Sequence, residues 1–262
     1  MNRYRQVFAG YAALTTALIV YGCDSKAPGA DIVARPTAQA SLPPATPPKI
    51  ESPAAPKPDL DRGKLPANMQ TDAYHYFSLS YGKPLDMEMT TKPDNGVLTG
   101  SMATRMTQVD NARATFIVET TGALNDRVGN ERVVLKPDGV YAVSSDKEKL
   151  TQPQLELPTG FISGKAWFVD STVVAPAGKV RQQIKYSCTG TQTIKIGATT
   201  YSAMCVVGVG KFSGAVSAHV VTREWLVKDI GTVKMEMVQT SKGKPPVTFD
   251  MIWKPTDSKA KS

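Results

Sequence analysis

The stretch Leu85-Asp86-Met87-Glu88-Met89-Thr90 decides the fold, because apolar and polar residues alternate in it without a break. In an extended chain successive side chains point to opposite faces, so Leu85, Met87 and Met89 share one face and the polar residues the other. The same period recurs in Ile184, Tyr186 and Cys188 against Gln183, Lys185 and Ser187. It returns in Val233, Met235 and Met237, then in Val247, Phe249, Met251 and Trp253. From Tyr74 to Lys254 no stretch carries helical periodicity, which predicts antiparallel strands with one buried face. Lys136-Pro137-Asp138-Gly139 supplies the turn of a hairpin across Glu131 to Ser144, since proline presets one turn position and glycine tolerates a left-handed one. Further turns are expected at Thr189-Gly190 and around Gly197. The expectation is an all-β domain: a single antiparallel, strongly curved sheet, an open or half barrel of about 11–12 strands, because flat sheets of that width are uncommon.

Outward from this core the composition changes. Between Asp24 and Gln70 the chain is rich in Ala, Pro, Thr and Lys and has no aromatic residue. Segments such as Leu42-Pro43-Pro44-Ala45-Thr46-Pro47-Pro48 cannot be helix or central strand. Residues 23–70 are therefore expected to form a disordered, semi-rigid linker, reaching on the order of 140 Å at ~3.1 Å per residue. The folded domain is placed at residues 71–255, long enough to bury a core without metal or many disulfides, and 256–262 form a polar tail.

The first residues, Met1 to Gln6, carry Arg3 and Arg5 and no acid, and an apolar run follows to Gly22. This is the order of charge and hydrophobicity in a secretion signal, too short for a membrane span. It ends in Val20-Tyr21-Gly22-Cys23, which resembles the bacterial lipobox, although Tyr21 is bulkier than usual at its position. Residues 1–22 are thus expected to be removed and Cys23 to be lipidated. Two or three acyl chains would hold the protein on a membrane permanently, because each buried methylene contributes about 0.8 kcal/mol. The expected location is the cell envelope, facing the periplasm, with the inner membrane favoured by Asp24. Taking Arg3 and Arg5 from the +8 of the whole chain leaves +6, spread along the strands and tail, which suits a soluble surface. No nucleic-acid motif with interleaved aromatics is present, so nucleic acid is not an expected partner.

Tyr76-Phe77-Ser78-Leu79, Gly164-Lys165-Ala166-Trp167, Gly190-Thr191-Gln192-Thr193-Ile194-Lys195-Ile196-Gly197, Tyr201-Ser202-Ala203-Met204 and the run Glu224-Trp225-Leu226-Val227-Lys228-Asp229-Ile230-Gly231-Thr232-Val233-Lys234 follow one another in this order. Over residues 74–240 the chain thereby resembles a bacterial domain family labelled TapB-like. The resemblance implies a secreted or lipid-anchored β-domain, an open barrel-like sheet comparable to the periplasmic carriers of lipoproteins and lipids. It implies no activity for any residue.

Catalytic signals are sparse. His75 and His219 stand alone in their segments, so a triad or metal site would need a coincidence of folding. There is no Gly-x-Ser-x-Gly or His-Glu-x-x-His motif. The run Gly208-Val209-Gly210-Lys211-Phe212-Ser213-Gly214 is similar in composition to a phosphate-binding loop, but its spacing is wrong and a strand follows, so its glycines are read as turn glycines. The acidic residues are read as solvated positions on polar strand faces. Cys188 and Cys205 are a candidate disulfide of an oxidising compartment. In a simple meander they would flank a middle strand, roughly 9–10 Å apart, beyond the ~7 Å that a disulfide spans. Either a bulge or crossover joins them, or they are two buried thiols.

These readings predict a non-enzymatic, membrane-tethered binding module for an apolar ligand or an envelope protein, with no cofactor and no metal; the alternative is a structural or assembly lipoprotein. Met87, Met89, Met235, Met237 and Met251 suit either adaptable ligand contacts or ordinary core packing.

Overall fold

The structure, a computed structural model, describes residues 59–255. The signal, Cys23, Asp24, the linker up to residue 58 and the tail 256–262 lie outside the described residues. The strands are β1 (Leu85–Lys92), β2 (Gly96–Val109), β3 (Ala114–Thr120), β4 (Glu131–Lys136), β5 (Gly139–Ser145), β6 (Lys149–Leu150) and β7 (Gln154–Pro158). They continue as β8 (Ala166–Ala175), β9 (Gly178–Ile196), β10 (Thr199–Gly214), β11 (Ala218–Val227), β12 (Gly231–Thr240) and β13 (Val247–Trp253). All 13 join one antiparallel sheet in the order β6-β8-β9-β10-β11-β12-β13-β1-β2-β3-β4-β5-β7. The sheet is nearly closed into a barrel with one unsealed seam. The count exceeds the expected 11–12 because β6 and β7, at the two ends of that order, are too short to show alternation in sequence.

The seam has a local cause. In the pairing of β7 with β5, Val140 faces Leu157 and Tyr141 faces Leu155, so Glu156 is a bulged residue without a ladder partner. A bulge on an edge strand bends it and ends pairing. Across the gap side chains replace the ladder: Ser171 Oγ donates to Gln154 Oε1 at 2.6 Å, and Gln182 Nε2 donates to Ser171 Oγ at 2.7 Å and to Gln154 Oε1. Gln182 is fully buried, so these bonds satisfy amides that would otherwise be costly there.

Inside, the predicted face is the buried one. Met235, Met251 and Met89 form a cross-strand row through β12, β13 and β1, and Met237 faces Phe249. All described methionines are buried, the five named above at 1% exposure or less. Each contributes roughly 1.5–3 kcal/mol by leaving water.

Residues 59–84 close one end. Short 3₁₀ turns at Arg62–Lys64 and Ala67–Met69 lead into α1 (Asp72–Tyr76), and Leu65, Met69, Ala73, Tyr74, Phe77 and Leu79 all enter the core. The expected linker boundary at residue 70 is therefore corrected: 59–70 belong to the folded domain, and the sparse apolar residues among prolines hid this. Arg62 fixes the segment, donating from Nε to Leu79 O at 2.8 Å and from Nη2 to Thr104 O at 2.5 Å. α1 and a second short helix, α2 (Gly122–Asn125), are too brief to produce a helical period.

Two expected turns are also corrected. β9 runs unbroken through Thr189-Gly190, where Cys188 faces Val206 and Cys205 faces Gly190, so Thr189 is bulged. Gly190 takes the positive φ of 101° that the bulge requires. Gly208 and Gly210 are not turn glycines but lie within β10, where a Cβ on Gly208 would sit 2.6 Å from the Tyr186 ring and one on Gly210 2.1 Å from Gln183 O. The turn at Gly197 and the hairpin across Lys136-Pro137-Asp138-Gly139 are where the sequence places them.

Candidate functional site

The acidic residues do not all lie on polar faces. On β4 the buried positions are Glu131, Val133 and Leu135, so Glu131 points inward with the core. On β11 Glu224 shares the inward phase of Val220 and Thr222, and its register neighbours are Val206 and Met235. Glu156 is the bulged residue of β7, and Glu148, in the turn before β6, is buried at 6% exposure. The reading of the acids as uniformly solvated is corrected at these four positions.

Their electrostatics follow from that placement. Burial, with the Glu131 carboxyl added, pushes Glu148 up to about 8. Burial pushes Glu224 up to about 7. Glu156 is held well above the carboxylate range by burial first, then by Glu131 and Glu224, against an opposing hydrogen bond from Gln154. Both Glu148 oxygens and Glu156 Oε1 are buried without a hydrogen-bond partner. Carboxyls so perturbed mark candidate sites.

Glu156 and Glu224 meet at a narrow cavity of about 30 Å³ beside the seam, lined also by Phe77, Trp167, Tyr186 and Leu226 among others. Trp167 stacks on Tyr186 with centroids 5.3 Å apart and planes at 15°, and Phe161 meets Trp167 edge-on at 6.4 Å. The indole Nε1 of Trp167 is buried and has no partner. Phe77, from the segment that plugs the barrel, forms part of the wall. A wider, open groove of about 690 Å³ lies between the β5–β6 turn and the end of β8, with Glu148, Leu150 and Val174 on its walls. Among the described residues no group of three or more His, Cys, Asp or Glu is arranged to hold a metal ion.

The histidines stay apart. His219 is exposed on β11. His75, on α1, pairs through Nδ1 with Asp229 Oδ1, and Asp229 N donates to His75 O at 2.8 Å. Ser80 Oγ donates to the same Asp229 oxygen at 3.3 Å. The aspartate thus stands between serine and histidine, and the imidazole does not touch the hydroxyl it would have to deprotonate. The contact pins the plug to the β11–β12 turn.

Cys188 and Cys205 are buried, free thiols, so the expected disulfide is not formed. The meander expected there is replaced by one long strand, which puts the two cysteines on adjacent strands, facing Val206 and Gly190 rather than each other. Both thiols are expected to resist alkylation in the folded protein and to react after unfolding without reductant. Thiols that stay blocked in unreduced, unfolded protein would contradict this.

Fold and site together define a class: an end-plugged, nearly closed antiparallel barrel with a small acid-lined, aromatic-walled cavity at its seam. No family model matches the chain, and no curated protein matches it. Among solved structures, it is similar to an exported protein with YmcC-like fold from Bacteroides fragilis, at 11% identity and a TM-score of 0.48, over 68% of this chain and 97% of that one. A structure described as a lipoprotein from Parabacteroides distasonis gives 12% identity and 0.46, over 68% and 96%. The lipoprotein YmcC from Escherichia coli gives 9% and 0.32, over 67% and 86%. The architecture described above rests on this chain's own strand pairing.

Proposed function

We propose that the protein is a lipid-anchored, non-enzymatic component of a bacterial cell envelope that binds a protein partner. Held through Cys23 in the inner membrane, as Asp24 favours, it would face the periplasm on its proline-rich tether. The lipobox-like Val20-Tyr21-Gly22-Cys23 and the TapB-like resemblance support the location. The observation that carries the mode of action is the filled interior. The five methionines that would line an apolar pocket are buried to 1% exposure or less, the cavity at the seam, about 30 Å³, is an order of magnitude below pockets that take small organic ligands, and the groove of about 690 Å³ is open to solvent rather than enclosed. This favours a protein partner over the apolar ligand.

Two measurements test the reading. Metabolic labelling with an alkyne fatty acid should mark the wild type and not Cys23→Ser; equal labelling of both would reject the anchor. Native mass spectrometry of periplasm-derived protein, before and after organic extraction, should give the same unliganded mass. A mass removed by extraction would restore the apolar-ligand reading.

A further inference from the structure

We propose that the outer face of β8–β12 is a docking surface for an anionic lipid bilayer, with its lysines meeting the headgroups and its exposed Phe168 and valines entering between them. The inference goes beyond the protein-partner reading and rests on that reading only for a location beside a membrane.

Strand register builds the face. Phe168 on β8 stands beside Lys185 on β9, Lys185 beside Val209 on β10, Val209 beside Val221 on β11, and Val221 beside Val238 on β12. All five point outward, since their chain neighbours Trp167, Ile184, Val220 and Met237 are buried in the interior. At ~4.8 Å per strand the row runs roughly 19 Å around the barrel. Phe168 and Val209 are more than half exposed, and Val221 and Val238 are exposed with them. Single exposed apolar residues are ordinary on a protein surface; a contiguous row marks an interaction site.

Cations surround the row. Lys179, Arg181 and Lys185 leave β9 on this face, and Lys211 leaves β10 opposite Gln183. The acids nearest the row are engaged: Asp170 accepts from Arg181 Nε at 2.7 Å and from Arg181 Nη2 at 2.6 Å, and Glu236 pairs with Lys234 Nζ at 2.6 Å. Asp250 lies on the rim, beyond Glu236 on β13. Lys179, Lys185 and Lys211 are exposed and have no acidic partner among the described residues. Lysines that are scattered in the sequence thus gather about one apolar row.

This combination selects a bilayer. Lysine is depleted from protein–protein interfaces, which argues against a second copy of the chain, and a soluble polyanion gains nothing from an exposed phenylalanine and valines. An anionic leaflet uses both features: each lysine near its surface strengthens attachment about fivefold, and apolar side chains sink to the boundary between headgroups and acyl chains. A tether holds the domain close to the membrane, so the contact needs only weak affinity of its own.

Lysine footprinting tests the surface. The full chain is reconstituted with vesicles of phosphatidylcholine, alone or mixed with phosphatidylglycerol, floated to remove unbound protein, and acetylated briefly with a water-soluble ester before mass spectrometry of its peptides. On phosphatidylglycerol vesicles Lys179, Lys185 and Lys211 should react several-fold more slowly than on phosphatidylcholine. The difference should vanish in roughly 1 M potassium chloride, where charges are screened beyond about 3 Å. Lys136, exposed on β4 across the barrel, is the control and should react alike on both. The Val209→Asp/Val221→Asp double variant should lose the protection of all three lysines. Circular dichroism shows whether that variant is folded; if it is not, Phe168→Ser takes its place with the same expected loss. Equal reaction on the two kinds of vesicle, equal slowing of Lys136, or protection that survives the substitutions would overturn the surface. Protection that appears without vesicles and grows with protein concentration would assign the face to a second copy, and protection by soluble glycerol phosphate would reduce it to a phosphate site; either overturns the bilayer. Fatty-acid labelling at Cys23 is scored separately, so failure of this surface and failure of the envelope reading are told apart.

Discussion

Gly210→Ala is expected to lower the urea midpoint of the domain by roughly 1–2 M, a loss of about 3 kcal/mol or more. A Cβ at this position would lie 2.1 Å from Gln183 O and 2.6 Å from Ile184 Cα, both backbone atoms of β9. Side chains can turn away from an added methyl group; a strand in a ladder cannot, and β9 and β10 are paired from Thr199↔Ile196 to Gly214↔Val180. Gly208→Ala is the internal comparison. There the new Cβ meets the Tyr186 ring at 2.6 Å and Thr222 Oγ1 at 2.5 Å, side-chain rather than backbone atoms, so the loss should be smaller. A Gly210→Ala midpoint equal to that of wild type would mean that the two strands do not approach so closely.

Raising the pH from 5 to 9 is expected to destabilise the protein by several kcal/mol, with Glu148 one of the sources. Its carboxyl is pushed from 4.5 to about 8 in the folded state, so between these values the folded protein holds a proton that the unfolded chain has released. Stability therefore falls as pH rises through that window and levels off above it. At about 1.36 kcal/mol per pH unit, the upper figure for this one group is roughly 5 kcal/mol. Glu224 and Glu156 act in the same direction. Glu148→Gln should be close to wild type at pH 5 and clearly more resistant to urea at pH 9. Parallel pH profiles for the two proteins would show that Glu148 is hydrated.

The alternation of Leu85, Met87 and Met89 was legible because a strand with one buried face writes its burial directly into its period. The inward acids were not, for the same reason. A rule that assigns apolar residues to the core assigns Glu224 to solvent, and on β11 both phases carry apolar residues, Val220 on one and Val221 and Trp225 on the other. Only the register with Val206 and Met235 settles which way Glu224 points. Gly208 and Gly210 failed differently: glycine marks a turn by its backbone freedom and a close approach by its missing side chain, and sequence shows neither neighbour. The cavity combines β7, β8, β9, β10, β11, β12 and the N-terminal plug, so no local pattern could announce it.

The way the N-terminal plug is fastened sets how the domain would bear a mechanical load. Tension arriving along the chain from residue 58 enters at Asp59 and Leu60, where Met106 N donates to Asp59 Oδ1 at 2.8 Å and Leu60 N donates to Met106 O at 2.9 Å. Behind that clasp stand the Arg62 bonds to Leu79 and Thr104 and, at the far side of the plug, the His75–Asp229 pair. A pull would have to strip these fastenings one after another before it reached the sheet ladder. Stretching would first draw out the plug and with it Phe77, a wall of the acid-lined cavity, so a pull on the chain ahead of Asp59 would act on the site as well as on the fold.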